Sequence, residues 1–199
     1  MVRTVARSTW MDAAKGLFRD FVRSARAPRL RTIREFAERE VIIPDGPYKG
    51  FRFSCARQPH TRLWFNEIDS GWWRRHVMTG PVQSGKSLTG YIIPAMYHLF
   101  EHRETVILGV PTMEMAADKW RIDIEPLIRT SRYKDLIPTT GAGSRGGKFE
   151  AIKFRNGAEL KFMSGGGGDE KRSGYTSRVL IVTEVDKLDT AGANSREAD

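Results

Sequence analysis

The segment GPVQSGKS, Gly80 to Ser87, constrains the chain more than any other. It satisfies G-x-x-x-x-G-K-[ST] at every fixed position. Such a loop works by turning backbone N–H groups inward around an anion, so it needs a strand to enter it and a helix to leave it. Gly80 and Gly85 let the backbone fold that tightly, with Pro81, Val82, Gln83 and Ser84 forming the wall between them. The helix opening near Lys86 adds the positive end of its dipole. Lys86 is expected to reach the β- and γ-phosphates of a nucleotide, and the Ser87 hydroxyl to ligate Mg²⁺. ATP and Mg²⁺ are the cofactors this motif predicts.

The flanks suit the loop. RRHVMT (74–79) is apolar at its centre and reads as a buried strand running into Gly80. After the loop, Leu88, Ile92, Ala95, Met96 and Leu99 recur at helical spacing, and Pro94 is expected to kink or shorten that helix. TVILGV (105–110) is a second strand, stopped by Pro111. Residues 113–129 read as a helix with Met113, Ala116, Ala117, Trp120, Ile124 and Leu127 on one side. AIKF and ELKF flank Asn156-Gly157, which predicts a hairpin closed by a type I′ turn. VLIVT (179–183) reads as a buried strand, and residues 138–148 and 164–174 as Gly-rich loops. Apolar strands separated by crossover helices predict a parallel sheet covered on both faces, an α/β P-loop NTPase of the RecA/ASCE-like type.

The N-terminal region differs in charge. The net charge is +9, but residues 1–34 hold nine Lys/Arg against two acids, while the rest is nearly balanced. Leu17, Phe18, Phe21, Val22 and Ala25 put one apolar stripe on a basic helix over 12–26, ended at Ala27-Pro28. Thr32 with Glu35 predicts a capping box on a second helix over 32–41. Pro44, Gly46 and Pro47 place a boundary near residue 45. Residues 1–45 are thus expected to form a basic helical arm and 46–199 the nucleotide-binding domain. Pro59 suits the first turn of a helix over about 60–71, with Leu63, Trp64, Ile68 and Trp72 as its apolar side. No apolar run reaches the roughly 18–20 residues of a membrane span. The single cysteine, Cys55, excludes a disulfide framework and reads as a buried thiol. His60, His76, His98 and His102 lack metal-ligand spacing.

Two further places bear on nucleotide chemistry. Gln58 lies 22 residues before Gly80, and its amide carries a donor and an acceptor that match the adenine edge. Phe51 or Phe53 supplies an aromatic face to stack on the base. Near the C-terminus, VLIVTEVDKLD (179–189) runs four apolar residues into a cluster of acids. P-loop hydrolases of this layout end that strand in Asp, which holds a Mg²⁺-bound water, then Glu, which polarises the attacking water. Here the pair is Thr183-Glu184. Glu184 keeps the acid–base role, while Thr183 offers a neutral hydroxyl to the metal's water. Asp186, two residues on, shares a face with Glu184 if the chain stays extended.

GPVQSGKS, VILGVPTMEMAADKW and VLIVTEVDKLD together resemble the ATPase region of large terminase subunits of tailed phages, in particular the lambda-type (GpA) group. GFRFSCARQPHTRLW is similar to the stretch carrying the adenine-side Gln in that group, and the likeness spans about residues 45–190. The resemblance implies an ATP-driven motor that pumps double-stranded DNA into a procapsid. It implies a small terminase subunit and a portal as partners, a homo-oligomeric active form and a setting in the bacterial host cytoplasm. It also implies further strands and a metal-dependent nuclease domain beyond residue 199, so the sheet is expected to be incomplete on its C-terminal side. Carried over by position, Lys86 and Ser87 take the loop roles, Gln58 the adenine contact and Glu184 the catalytic carboxylate.

Arg145, Lys148, Lys171 and Arg172 flank the Gly-rich loops and suit DNA phosphates or a neighbouring subunit's γ-phosphate, Arg172 being the candidate arginine finger. Two other readings stay open from sequence: a non-hydrolysing nucleotide- or DNA-binding prophage remnant, and another P-loop DNA translocase or helicase.

Overall fold

The protein is described by a computed structural model over residues 6–25, 29–141, 151–164 and 176–185. Packing divides it into two units, Met1–Leu30 and Arg31–Asp199. The first contains one helix, α1 (Ala6–Ala25), which starts before the predicted residue 12. Its apolar residues Trp10, Met11, Leu17, Phe18 and Phe21 are all exposed.

The second unit opens with α2 (Ile33–Glu40), capped as the sequence predicts. The Glu35 N–H donates to Thr32 Oγ1 at 3.1 Å, and the Thr32 N–H donates to Glu35 Oε2 at 2.9 Å. Ile33, Phe36 and Ala37 enter the core. Helix α3 (Pro59–Ser70) begins on its proline and ends at Gly71, which is left-handed. Its predicted apolar side is turned. Leu63 and Trp72 are exposed, Trp64 and Ile68 are half-buried, and the fully buried positions are Thr61 and Phe65. Phe65 decides the rotation by packing on Phe53, with ring centroids 6.0 Å apart.

The P-loop is followed by a π-helical turn (Ser87–Ile92), α4 (Ile93–Tyr97) and a second π turn (His98–His102). Pro94 produces this local widening. It cannot donate a backbone hydrogen bond, and the N–H of Ile93 reaches back to the carbonyl of Leu88. Every residue from Tyr91 to Tyr97 is buried, so this helix forms the spine of the core.

Strand β1 (Val106–Val110) is buried along its whole length. Helix α5 (Met113–Asp118), capped by Thr112, leads through a π turn (Lys119–Ile124) into α6 (Glu125–Thr130). Ala116, Trp120, Ile124 and Leu127 are buried as their spacing predicts. Among the described residues the sheet also holds β2 (Ala151–Lys153), β3 (Glu159–Ser164) and β4 (Val179–Val182), in the order β2-β3-β1-β4. Strand β1 is parallel to β3 and β4, and β2 is antiparallel to β3. The predicted α/β architecture on a mainly parallel sheet is present.

Three local predictions are corrected. Residues 74–79 form no strand, and Val77 is 88 % exposed. Strand β4 is not buried on both faces: it alternates, with Leu180 55 % exposed, and among the described residues only β1 pairs with it. The hairpin at Asn156-Gly157 forms without a type I′ turn, since Gly157 has φ +88° but Asn156 is not left-handed. Phe154 N–H instead donates to Ala158 O, closing a three-residue loop with glycine in the left-handed position. Asn156 is otherwise engaged, donating from Nδ2 to the carbonyl of Leu99 at 2.9 Å.

Candidate nucleotide site

The loop adopts the backbone that its glycines permit. Gly85 has φ +78°, and Gln83, a non-glycine, is also left-handed at φ +60°. Ser84 Oγ donates to the carbonyl of Pro81 at 2.8 Å. The Lys86 ammonium lies across the loop, donating to Gly80 O at 2.6 Å and also to Pro81 O. Thr89 secures the exit, donating to Gly85 O from both its N–H and its hydroxyl at 3.0 Å. Gly80, Pro81, Val82, Gln83 and Ser87 are exposed, while Ser84, Gly85 and Lys86 are half-buried.

Neighbouring elements clamp this loop. Trp64 Nε1–H on α3 donates to the carbonyl of Thr89 at 3.1 Å. The Met78 sulfur presses on Gly90, where a Cβ would lie 2.9 Å from it. Gln58, at the start of α3, sets its amide against Gly85: a Cβ there would lie 3.1 Å from Nε2 and 3.2 Å from Oε1. The structure therefore places Gln58 beside the loop. Of the two candidate stacking aromatics, Phe53 is in the core, whereas Phe51 is 57 % exposed. The Arg57 guanidinium lies 5.6 Å from the Phe51 ring and 5.0 Å from that of Tyr48.

The other predicted residues lie at the end of β4. Its ladder with β1 runs to Gly109↔Val182 and continues as Thr183 N–H donating to Gly109 O at 3.0 Å. The strands approach closely there, because Gly109 presents no side chain to Val182. Thr183 is 8 % exposed, and its Oγ1 has no hydrogen-bond partner among the described residues. Glu184 follows in a left-handed conformation, φ +54°. Its carboxylate lies 3.8 Å from Lys119 Nζ. Lys119 also meets Asp123 at 3.3 Å and sits 5.3 Å over the ring of Tyr91. Tyr91, four residues after Ser87, donates from its hydroxyl to Asp123 at 2.5 Å. Burial, followed by the Asp123 hydrogen bond and the charges of Asp123 and Glu184, raises the Tyr91 phenol well above its ordinary range.

Sequence reading missed Lys119, Asp123 and Tyr91. The i,i+4 spacing of Lys119 and Asp123 was a visible signal of an ion pair, but nothing local indicated that Glu184 would join it. Asp186, Arg172, Arg145, Lys148 and Lys171 lie outside the described residues. The oxygen donors here, the Ser87 hydroxyl and the buried Thr183 hydroxyl, are of the type a hard cation takes. Among the described residues there is no cluster of three or more His, Cys, Asp or Glu side chains suited to holding a metal ion, and no helix long and apolar enough to cross a membrane.

No family model and no curated protein matches the sequence. The fold is similar to that in the crystal structure of the HK97 bacteriophage large terminase, with a TM-score of 0.58 and 16 % identity over 83 % of this chain. The match covers 36 % of the terminase, so the chain spans about a third of the length of the protein it resembles, and the likeness is one of fold.

Proposed function

We propose that the chain is the ATP-hydrolysing motor domain of a DNA-packaging large terminase. The observation that carries this reading is the terminase-like fold joined to a complete G-x-x-x-x-G-K-S loop, Gly80 to Ser87, whose Gly85 takes the left-handed turn. The quoted motifs further favour the lambda-type group.

In this reading Lys86 exchanges the carbonyls of Gly80 and Pro81 for phosphate oxygens. Ser87 would hold the Mg²⁺ that accompanies the nucleotide, and that ion would supply positive charge against the phosphates. The Thr183 Oγ1, without a hydrogen-bond partner among the described residues, fits such an ion, since a metal-bound water would satisfy it. Glu184 orients the attacking water and accepts its proton. Gln58 reads the adenine edge, Asp186 supports the metal's water and Arg172 serves as the arginine finger. Double-stranded DNA, a small terminase subunit, a portal and further copies of the chain are the partners, in the host cytoplasm.

Phosphate release from Mg-ATP by the full-length protein tests the reading. Turnover should exceed that of Glu184→Gln and Lys86→Ala by at least about a hundredfold, the scale of a positioned acid–base group. Equal rates in all three would reject it. A second reading, nucleotide binding without turnover, is favoured by Thr183, which brings no charge where a carboxylate is expected. Retention of labelled ATP with no phosphate release would select it.

A further inference from the structure

We infer that Lys119 is a positioning residue for Glu184, holding its carboxylate in place through a cluster shared with the P-loop helix. The inference rests on Glu184 acting as the acid–base group proposed above. Three separate elements converge at this point. Lys119 and Asp123 stand one turn apart in the π turn that follows α5. Tyr91 belongs to the first turns after the phosphate loop. Glu184 lies two residues past the end of β4. One ammonium, with only 18 % of its side chain exposed, faces both carboxylates: Asp123 at 3.3 Å and Glu184 at 3.8 Å.

The geometry assigns the parts unequal roles. Asp123 is fixed from two sides, by Lys119 and by the Tyr91 hydroxyl, and so acts as the anchor. That anchoring, with the Tyr91 ring beneath the ammonium, limits where Lys119 can go. Glu184 emerges from a left-handed residue just past the last β4 pairing, where the ladder no longer constrains it. A carboxylate beyond the paired strand can occupy several rotamers. A localised cation 3.8 Å away reduces that set. Because Tyr91 lies on the helix that begins at the phosphate loop, a shift of that helix is also felt at Lys119.

The test uses full-length protein carrying Lys119→Met, Lys119→Arg or Asp123→Asn. Two readouts are needed: kcat and KM for Mg-ATP, and affinity for a non-hydrolysable ATP analogue by calorimetry. A third, independent of catalysis, is amide hydrogen exchange at residues 183–185 without nucleotide. Lys119→Met should lower kcat at least about tenfold, while KM and analogue affinity stay within about twofold. Exchange at 183–185 should quicken in Lys119→Met and stay near wild type in Lys119→Arg, which should also keep most of kcat. Asp123→Asn should lose less kcat than Lys119→Met. Wild-type kcat in Lys119→Met, an equal loss in analogue affinity, or Lys119→Arg as impaired as Lys119→Met would each overturn the inference. If the wild type releases no phosphate, the motor reading fails, and the exchange data alone still decide whether Lys119 holds Glu184.

Discussion

The side-chain amide of Gln58 packs against the backbone of Gly85, so closely that an added Cβ would lie 3.1 Å from its Nε2. This ties the start of α3 to the tightest turn of the phosphate loop. Gly85→Ala therefore meets two penalties. A left-handed alanine costs about 1–2 kcal/mol, and the new methyl makes the Gln58 amide yield slightly. The variant should melt about 2–8 °C lower and bind ATP at least about tenfold more weakly. Gln58→Ala removes the amide without backbone strain. It should weaken ATP binding while leaving the melting temperature near wild type. Calorimetric titration and thermal scans of both variants separate loop geometry from the Gln58 contact.

Much of this arrangement was legible from local chemistry. The phosphate loop and the Thr32–Glu35 capping box rest on interactions within a few residues of one another, while β1 and the Trp120–Ile124–Leu127 stripe show in an apolar run and in helical spacing. What was not legible depends on distant partners. Residues 74–79 have the composition of a strand, but extended backbone becomes a sheet strand only beside another strand, and none of the described ones lies there. Strand β4 reads as fully buried from its four apolar residues, yet burial is set by what flanks it. Leu63 and Phe65 compete for the inner face of α3, and only the ring of Phe53 decides between them. The Asn156-Gly157 pair signals a turn correctly, but Asn156 is also bonded to Leu99, 57 residues away, which no local pattern shows. The Lys119–Glu184 approach likewise joins segments 65 positions apart.

Arg31 is the main polar staple of the second unit. Its guanidinium donates to Glu101 and Glu40, at 2.6 and 2.5 Å, and to the Tyr133 hydroxyl at 2.8 Å. Both carboxylates are shielded, with side chains 11 % and 5 % exposed. Arg31→Met leaves two buried acids short of a partner and should cost about 3 kcal/mol. Arg132, 3.2 Å from Glu40, softens the loss at that carboxylate alone. Arg31→Lys should fall between, because one ammonium cannot span three acceptors. Urea denaturation of the three proteins checks the order.

The same cluster predicts a pH dependence. Hydrogen bonds from the Arg31 side chain hold the Glu101 carboxyl below its ordinary value of 4.5, against the opposing effect of burial. A depressed acid contributes stability that is fully present above its unfolded pKa and is lost as pH falls through the folded one. The urea midpoint should therefore drop as pH is lowered below about 4.5. Asp69 works the other way, since burial raises its carboxyl and acidification relieves that strain. Glu101→Gln isolates the first effect. Its midpoint should be lower at neutral pH and fall less steeply in acid, and an unchanged slope would assign the acid loss to other groups.

Thr183 poses the sharpest test of the metal side of the site. Its hydroxyl is buried and unpartnered among the described residues, at the position where a carboxylate is expected. Thr183→Asp places a charge in a pocket that offers water little access. Without metal the variant should be destabilised by about 1–3 kcal/mol, the penalty for burying a polar group without a partner. With Mg-ATP that penalty should shrink, because the carboxylate then faces a cation's water shell. The same variant should need less Mg²⁺ for half-maximal phosphate release than the wild type. Chelator-dependent melting and a Mg²⁺ titration of turnover read the two effects separately. A loss of stability that Mg-ATP does not recover would place residue 183 away from the ion. An unchanged Mg²⁺ requirement with recovered stability would mean that another acid, Asp186 being the nearest in sequence, already serves the metal's water.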